Sequence, residues 1–443
     1  MPAYAEKRDR LIAEFRANGA PVGLAKATSN LFRDRVEAPK RRLDVRGFDR
    51  VLGVEPEAGF IEAEGMAPFA TLVDAALARG VMPAVVPQLK SITLGGAAAG
   101  VGIEASSFRH GLVHMSLLEM DVLVGDGRVL TCTPDNEYSD LFYGFPNSYG
   151  TLGYALRLKQ RTVPVGPYVH VEHRHHDDPR AAFADLMASC AGDADFVDGV
   201  VFGPRELVLS VGRFTDAAPY TSDYGYERIY YRSLRERGED WLATRDYLWR
   251  WDTDWFWCSK NVGAQNPILR RLYGRQRLNS VTYTRIMRWN GRVGLSRALD
   301  RLRGLHSESV IQDVDIPIGR AAAFLDFLFQ EVGVLPIWLC PVSAPDEWAR
   351  FSLYPLRADT LYVNFGFWDT VKSRQARPPG YLNRRIEARV MELGGIKSLY
   401  SDSYFEPEAF RRLYGGPAYA ALKHRYDPQG RFGDLYGKCV LRH

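Results

Sequence analysis

The run Thr93-Leu94-Gly95-Gly96-Ala97-Ala98-Ala99-Gly100-Val101-Gly102-Ile103-Glu104 holds the residue types most suited to chemistry. Small side chains let the backbone approach a bulky anionic ligand, with free N–H groups aimed at phosphate oxygens. The run lacks the Gly-Lys-Ser/Thr ending of a Walker loop and does not place Gly-x-Gly-x-x-Gly at the opening of a helix in a βαβ unit. A Gly/Ala-rich helix face used for packing is the alternative. Glu104 ends the run, and a carboxylate among apolar neighbours is costly unless paired or functional. Its structural alternative is an acceptor for nearby backbone N–H groups, and His110 reads either as functional or as a brace for its turn.

Other reactive types carry less. His170, His173, His175 and His176 have no CxxC partner, and strand alternation puts His170 and His173 on opposite faces, so a solvated strand end is expected and no metal site. Ser148 lacks a nucleophile elbow, which argues against hydrolase chemistry. Cys340, between Leu339 and Pro341, reads as a small buried hydrophobe.

The elements that must position these residues are mixed. Short β-rich runs occur at Val22–Leu24, Val51–Val54, Phe60–Ala63 and Val81–Val86, with a helix over Pro68–Arg79 between the last two. Asp126-Gly127 lies between alternating apolar runs and predicts a hairpin of Leu118–Val124 with Arg128–Cys132. Tyr154–Val163 is another alternating strand, and a domain boundary is placed near residue 165. The pattern is that of an α+β protein.

Length and composition exclude several classes. The 443 residues exceed one typical domain. Nine Trp, 23 Tyr and 22 Phe suit a flat aromatic cofactor or an apolar substrate. The net charge of +4 is small and dispersed, so no nucleic-acid partner is expected. Five scattered cysteines predict reduced thiols in a cytoplasmic protein. No apolar run is long enough to cross a bilayer, and the charged N-terminus is not a signal peptide. Peripheral contact with the inner face of a membrane stays open.

Taken in order, Gly95-Gly96, Ser107-Phe108-Arg109-His110-Gly111, Asp126-Gly127, Asp140-Leu141-Phe142 and Gly150-Thr151-Leu152-Gly153 resemble the FAD-binding domain of the vanillyl-alcohol-oxidase (PCMH-type) flavoproteins. Gly102 to Ser107, Cys132-Thr133-Pro134, Phe256-Trp257, Gln312-Asp313, Pro336 to Pro341 and Leu399-Tyr400-Ser401-Asp402 extend the resemblance to the delta-24 sterol reductase branch over nearly the whole chain. Leu24 to Arg33, Pro87-Gln88-Leu89-Lys90 and Phe145 to Gly150 look most like bacterial reductases of methyl-branched fatty-acid synthesis.

The resemblance implies a two-subdomain FAD-binding domain at 15–165, an α+β cap at 166–400 and a C-terminal segment, 401–443, returning to the FAD side. It implies contacts to FAD from Thr28, Ser29, Asn30, Leu31, Phe32, Pro87, Thr93, Leu94, Gly95, Gly96, Gly100, Gly102, Ile103, Glu104, Ser107, His110, Gly111, Gly150, Thr151 and Gly153. Many members tether FAD through a first-loop histidine, which the Lys26–Asn30 loop lacks, so non-covalent FAD is expected. The implied activity is NADPH-dependent reduction of a methylene-branched acyl chain of a phospholipid, with a fatty-acid methyltransferase as partner. The alternatives are a desaturase on the furan fatty-acid route, a sterol side-chain reductase and a non-catalytic flavin subunit.

Reducing an isolated alkene requires an acid that is neutral beforehand. Val310–Pro317 reads as a strand whose alternation sets Gln312 on one face and Asp313, beside Asp315, on the other. Glu104, with apolar neighbours, is the expected acid, ahead of Asp313, with Tyr149 and Tyr404 in reserve. Trp241, Trp249, Trp251, Trp255 and Trp257, interleaved with Arg245 and Arg250, read either as core or as a face laid on a bilayer.

Overall fold

The computed structural model describes residues 3–17, 19–26, 32–33, 41–293, 300, 302–345 and 351–442. Strands β1 (Val22–Ala25) and β2 (Arg41–Asp44) form a parallel pair. A second sheet contains β3 (Val51–Glu55), β4 (Phe60–Glu64), β5 (Val81–Pro83), β6 (Leu117–Leu123), β7 (Val129–Cys132) and β8 (Tyr154–Pro164). Its order is β3-β4-β8-β6-β7, with β5 also on β8. At 11 residues β8 is long enough to pair with β4, β5 and β6 along its length. The β6–β7 hairpin forms as its turn predicts: Gly127 takes φ +82° and the Asp126 carboxylate accepts the Arg128 N–H at 2.9 Å. Helix Phe69–Leu77 buries Phe69, Leu72, Val73 and Ala76, the stripe of a 3.6-residue period.

The third sheet is antiparallel throughout. It contains β9 (Tyr168–His176), β10 (Phe196–Gly203), β11 (Glu206–Thr215), β12 (Glu239–Ala243), β13 (His306–Pro317), β14 (Ile337–Val342), β15 (Tyr362–Ser373) and β16 (Ile396–Lys397), ordered β12-β9-β11-β10-β14-β15-β13-β16. One face packs on helices Pro179–Ala191, Ile318–Phe327 and Tyr381–Glu392, burying Leu209, Val310, Val314, Leu339 and Phe365 among Phe183, Phe324 and Ile386. The other face, through Trp338 and Cys340, joins the core that contains Ile103, Leu112 and Leu152. Strand alternation thus decides which β13 residues face the first unit, the part of the protein built on the second sheet, and which face the helices of the other unit, built on the third.

The C-terminal segment returns to the first unit. Arg431 O accepts the Val22 N–H (2.9 Å), Tyr426 O accepts that of Gly125 (2.7 Å), and Lys423 Nζ donates to Thr151 O (2.7 Å). Helix Tyr4–Arg16 also packs here, pairing Lys7 with Glu64 and stacking Phe15 on Phe432.

One reading left open by the sequence is decided, and one expectation is corrected. Trp249, Trp251, Trp255 and Trp257 are buried, Trp241 is half-buried on His170, Arg250 is buried and Arg245 pairs with Asp74 at 2.8 Å. This segment is core, because its rings pack on one another and on Trp338 and Trp368 instead of facing outward. His173 is not on a solvated end either: it is buried and bonded to Ser210 Oγ at 3.0 Å. Among the described residues no helix is long and apolar enough to cross a membrane, and no cluster of His, Cys, Asp and Glu could hold a metal ion.

Candidate functional site

A cavity of about 1270 Å³ lies between the two units, above the roughly 300–1,000 Å³ usual for ligand pockets. One wall is the glycine run. It begins as a short helix, Leu94–Ala99, whose N-cap Thr93 accepts the Gly96 N–H at 3.2 Å. A Cβ at Gly95 would lie 2.7 Å from Gly65 O, so glycine there lets the helix sit against the sheet. Packing and ligand approach are therefore both served, since Gly95, Gly96, Gly100, Gly102 and Ile103 line the cavity.

The turn Asn147–Gly150 makes the second wall. Asn147, Tyr149 and Gly150 take φ of +62°, +50° and +78°, values that non-glycine residues adopt only when their surroundings impose them. Here Asn147 is pinned by a bond to Leu353 O (2.7 Å), and Lys438 Nζ donates to Tyr149 O (2.6 Å). The far end is aromatic. Trp255 and Phe256, with φ of +42° and +57°, line it with Phe32, Tyr149, Trp368 and Tyr400. Phe256 stacks on Trp368 at 4.5 Å.

The lining suits a large anionic, aromatic ligand. Its charged residues are Lys26, Arg33, Arg42, Arg46, Arg288 and Lys438 against Asp313 and Asp434. Arg33 is buried, lies 4.8 Å from the Tyr149 ring centroid, and gives Nη1 to Leu399 O (2.7 Å) and Cys439 Sγ (2.9 Å). Its Nε and Nη2 donors have no partner among the described residues. Leaving such donors unmet costs about 1–3 kcal/mol each, which a ligand acceptor at this wall would relieve. These features fit FAD, whose phosphates the cations and glycine N–H groups would hold.

Asp313 also lines the cavity. Alternation along β13 turns it and Asp315 toward the first unit and turns Gln312 away, onto Asn383. Burial pushes the Asp313 carboxyl well above the usual carboxylate range; a hydrogen bond with Tyr400 opposes this and the charge of Asp315 adds to it. Its Oδ1 is buried with no hydrogen-bond partner among the described residues. Opposite, at Gly366, a Cβ would meet Asp313 Oδ1 and Trp368 at 2.7 Å each, so glycine leaves room for both.

Glu104 is placed differently from the sequence expectation. It lies off the cavity wall, its Oε1 2.8 Å from Arg250, which also binds Asp198 Oδ2 at 2.8 Å. Burial raises its pKa to about 7, against the pull of Arg250. Its neighbours are thus not only apolar, and its carboxyl clasps a cap arginine instead of facing the substrate space. Gln312 faces the helices. Tyr404 also lies off the wall, its hydroxyl on Arg442 at 3.0 Å.

Of the expected FAD contacts, Phe32, Pro87, Thr93, Gly95, Gly96, Gly100, Gly102, Ile103, Gly150 and Gly153 line the cavity with Tyr149. Leu94, Ser107, His110, Gly111 and Thr151 sit behind the wall: Ser107 Oγ, for example, accepts the Glu104 N–H at 3.0 Å. Thr28, Ser29, Asn30 and Leu31 lie outside the described residues. Sequence reasoning did not single out Arg33, Trp368, Tyr400 or Lys438 as site residues, although Tyr400 belongs to a motif already noted.

Comparison with known proteins agrees with this geometry. A family model described as an FAD binding domain matches residues 1–133. Delta(24)-sterol reductase of Homo sapiens is 28% identical over 371 residues, covering 80% of this chain and 69% of the human protein. The Pisum sativum enzyme of that name is 24% identical, covering 98% and 81%. Cytokinin dehydrogenase 7 of Oryza sativa subsp. japonica is 30% identical over 155 residues, 34% of this chain and 29% of its own length. The chain is accordingly an FAD-dependent oxidoreductase of α+β fold, related to the delta(24)-sterol reductases.

Proposed function

We propose that the protein reduces an isolated carbon-carbon double bond of a lipid with NADPH as reductant, and that its substrate is a methylene-branched acyl chain of phospholipid. The reading rests on Asp313: a buried carboxyl oxygen, without a partner among the described residues, on the wall of an aromatic cavity. Bound FAD supplies the hydride chemistry. An unactivated alkene accepts hydride only if protonation runs ahead, so the acid must carry its proton beforehand, the form that desolvation favours in Asp313. Asp313 delivers its proton to the unsubstituted carbon, and positive charge builds at the substituted one. Phe256, Trp368 and Trp255 line the same cavity, and aromatic rings there would favour that charge. Arg33, Lys438 and the glycine wall orient the cofactor. A fatty-acid methyltransferase, which installs the one-carbon branch, is the partner in this reading.

The likeness to delta(24)-sterol reductases favours a second reading, saturation of a sterol side chain. Incubating the holoprotein and NADPH with methylene-bearing phospholipid or with a Δ24 sterol, followed by mass spectrometry, separates the two. The methyl-branched acyl product is expected, and its absence alongside a saturated sterol would overturn the first reading.

A further inference from the structure

Ten large hydrophobic side chains are exposed among the described residues, and five of them, Ile268, Leu269, Leu272, Val281 and Trp289, lie on helices Pro267–Tyr273 and Ser280–Val293. Ile268 and Leu272 are 72% and 73% exposed and Trp289 59%. The usual amphipathic order is inverted in the first helix. At about 100° per residue, Ile268, Leu269 and Leu272 share one outward arc, while Arg270 points inward to Asp254 at 2.7 and 2.9 Å. In the second helix Val281, Arg285 and Trp289 follow at i, i+4 and i+8 on the outer side, opposite buried Tyr283. Tyr273 and Tyr283, with ring centroids 6.5 Å apart, join the helices on the inner side.

Within the two helices and their connection the formal charges have one sign. Residues 267–289 contain no Asp or Glu. Arg270 is committed to Asp254 and Arg275 to Asp223, leaving Arg271, Arg277 and Arg285 as exposed cations among the apolar side chains. Exposed Leu, Ile and Trp interspersed with arginine match an anionic bilayer surface, where the apolar groups enter the acyl boundary, Trp sits at the headgroups and arginine meets lipid phosphates. Arg288, exposed on the same second helix, also lines the cavity, so this helix borders it.

We propose that helices Pro267–Tyr273 and Ser280–Val293 form a docking face for an anionic phospholipid bilayer, from which the substrate lipid passes into the cavity. The passage of substrate, though not the docking, rests on the lipid-reductase reading.

The test is co-sedimentation of the holoprotein with phosphatidylcholine vesicles with and without phosphatidylglycerol. Binding is expected to the anionic vesicles and to weaken with salt. Ile268→Glu/Leu272→Glu/Trp289→Glu should lower it at least about tenfold, and each of Arg271→Gln, Arg277→Gln and Arg285→Gln about fivefold, the fold-change corresponding to about 1 kcal/mol per arginine. FAD content should stay at the wild-type level as the check on folding, and Met187→Glu, at an exposed hydrophobe elsewhere, should leave binding unchanged. Docking is overturned if wild type does not sediment with anionic vesicles, if the triple variant binds as wild type does, or if the triple substitution instead abolishes self-association in solution. Turnover of detergent-solubilised substrate separates the two readings. Vesicle binding without turnover of any lipid alkene would leave docking standing and remove the reductase reading; turnover without vesicle binding would do the reverse.

Discussion

Asp313→Asn isolates the proton that the proposed reaction needs. Asparagine has nearly the same shape, leaves the β13–β15 pairing intact and keeps a carbonyl oxygen for the Tyr400 hydrogen bond. Only the transferable proton is lost, so FAD binding and fold should persist. A positioned general acid contributes about 10²–10⁴ in rate, or roughly 2.7–5.5 kcal/mol of barrier at about 1.36 kcal/mol per decade. The protonated form is the active one, and burial raises the Asp313 pKa. Wild-type turnover should therefore hold at low pH and fall as pH rises through that raised value, whereas the variant should lack this limb. The assay is alkene consumption against pH at saturating NADPH, with FAD occupancy measured by absorbance. Turnover within about threefold of wild type in FAD-loaded variant, or the same alkaline limb in both proteins, would refute the reasoning. Glu104→Gln is the companion: its amide oxygen still accepts from Arg250, so turnover should stay within a few-fold, and a hundredfold loss there would return the acid role to Glu104.

Arg250→Met should cost about 3–5 kcal/mol in urea unfolding, because Glu104 and Asp198 are left buried without their shared cation. Glu104 has a raised folded pKa, about 7, so its contribution is fully present below its unfolded pKa and lost as pH rises through 7; the deficit of the variant should likewise be larger above pH 7 than at pH 5, and a pH-independent deficit would count against the clasp. Gly366→Ala puts a methyl group 2.7 Å from Asp313 Oδ1 and from Trp368, so thermal unfolding should show about 1–3 kcal/mol of overpacking and turnover should fall. FAD should leave with the supernatant on acid precipitation, since the described cavity lining contains neither histidine nor cysteine; colour retained by the precipitate would show a covalent bond.

Much of the architecture was legible because it rests on local rules. Glycine near Asp126 fixes the hairpin, the 3.6-residue apolar period marks helix Phe69–Leu77, and two-residue alternation along Val310–Pro317 separates Gln312 from Asp313. The glycine run, read from small side chains alone, does line a cavity. Alternation states only that two residues face opposite ways, however; which face meets the cavity depends on how the eight-stranded sheet docks on the first unit. That docking gives Asp313 the aromatic wall and sets Glu104 on Arg250, 146 positions away in sequence. The same long-range packing buries the tryptophans of the Trp249–Trp257 segment and turns Trp255 and Phe256, through left-handed backbone that aromatic residues rarely adopt, into the cavity. Residue types and spacing pointed to an anionic ligand and to the strands that carry the site, and the resemblance of the ordered motifs to flavoproteins implied FAD. Only tertiary structure decided which carboxyl lines the cavity, because desolvation and charge pairing depend on neighbours that the fold brings together from distant parts of the chain.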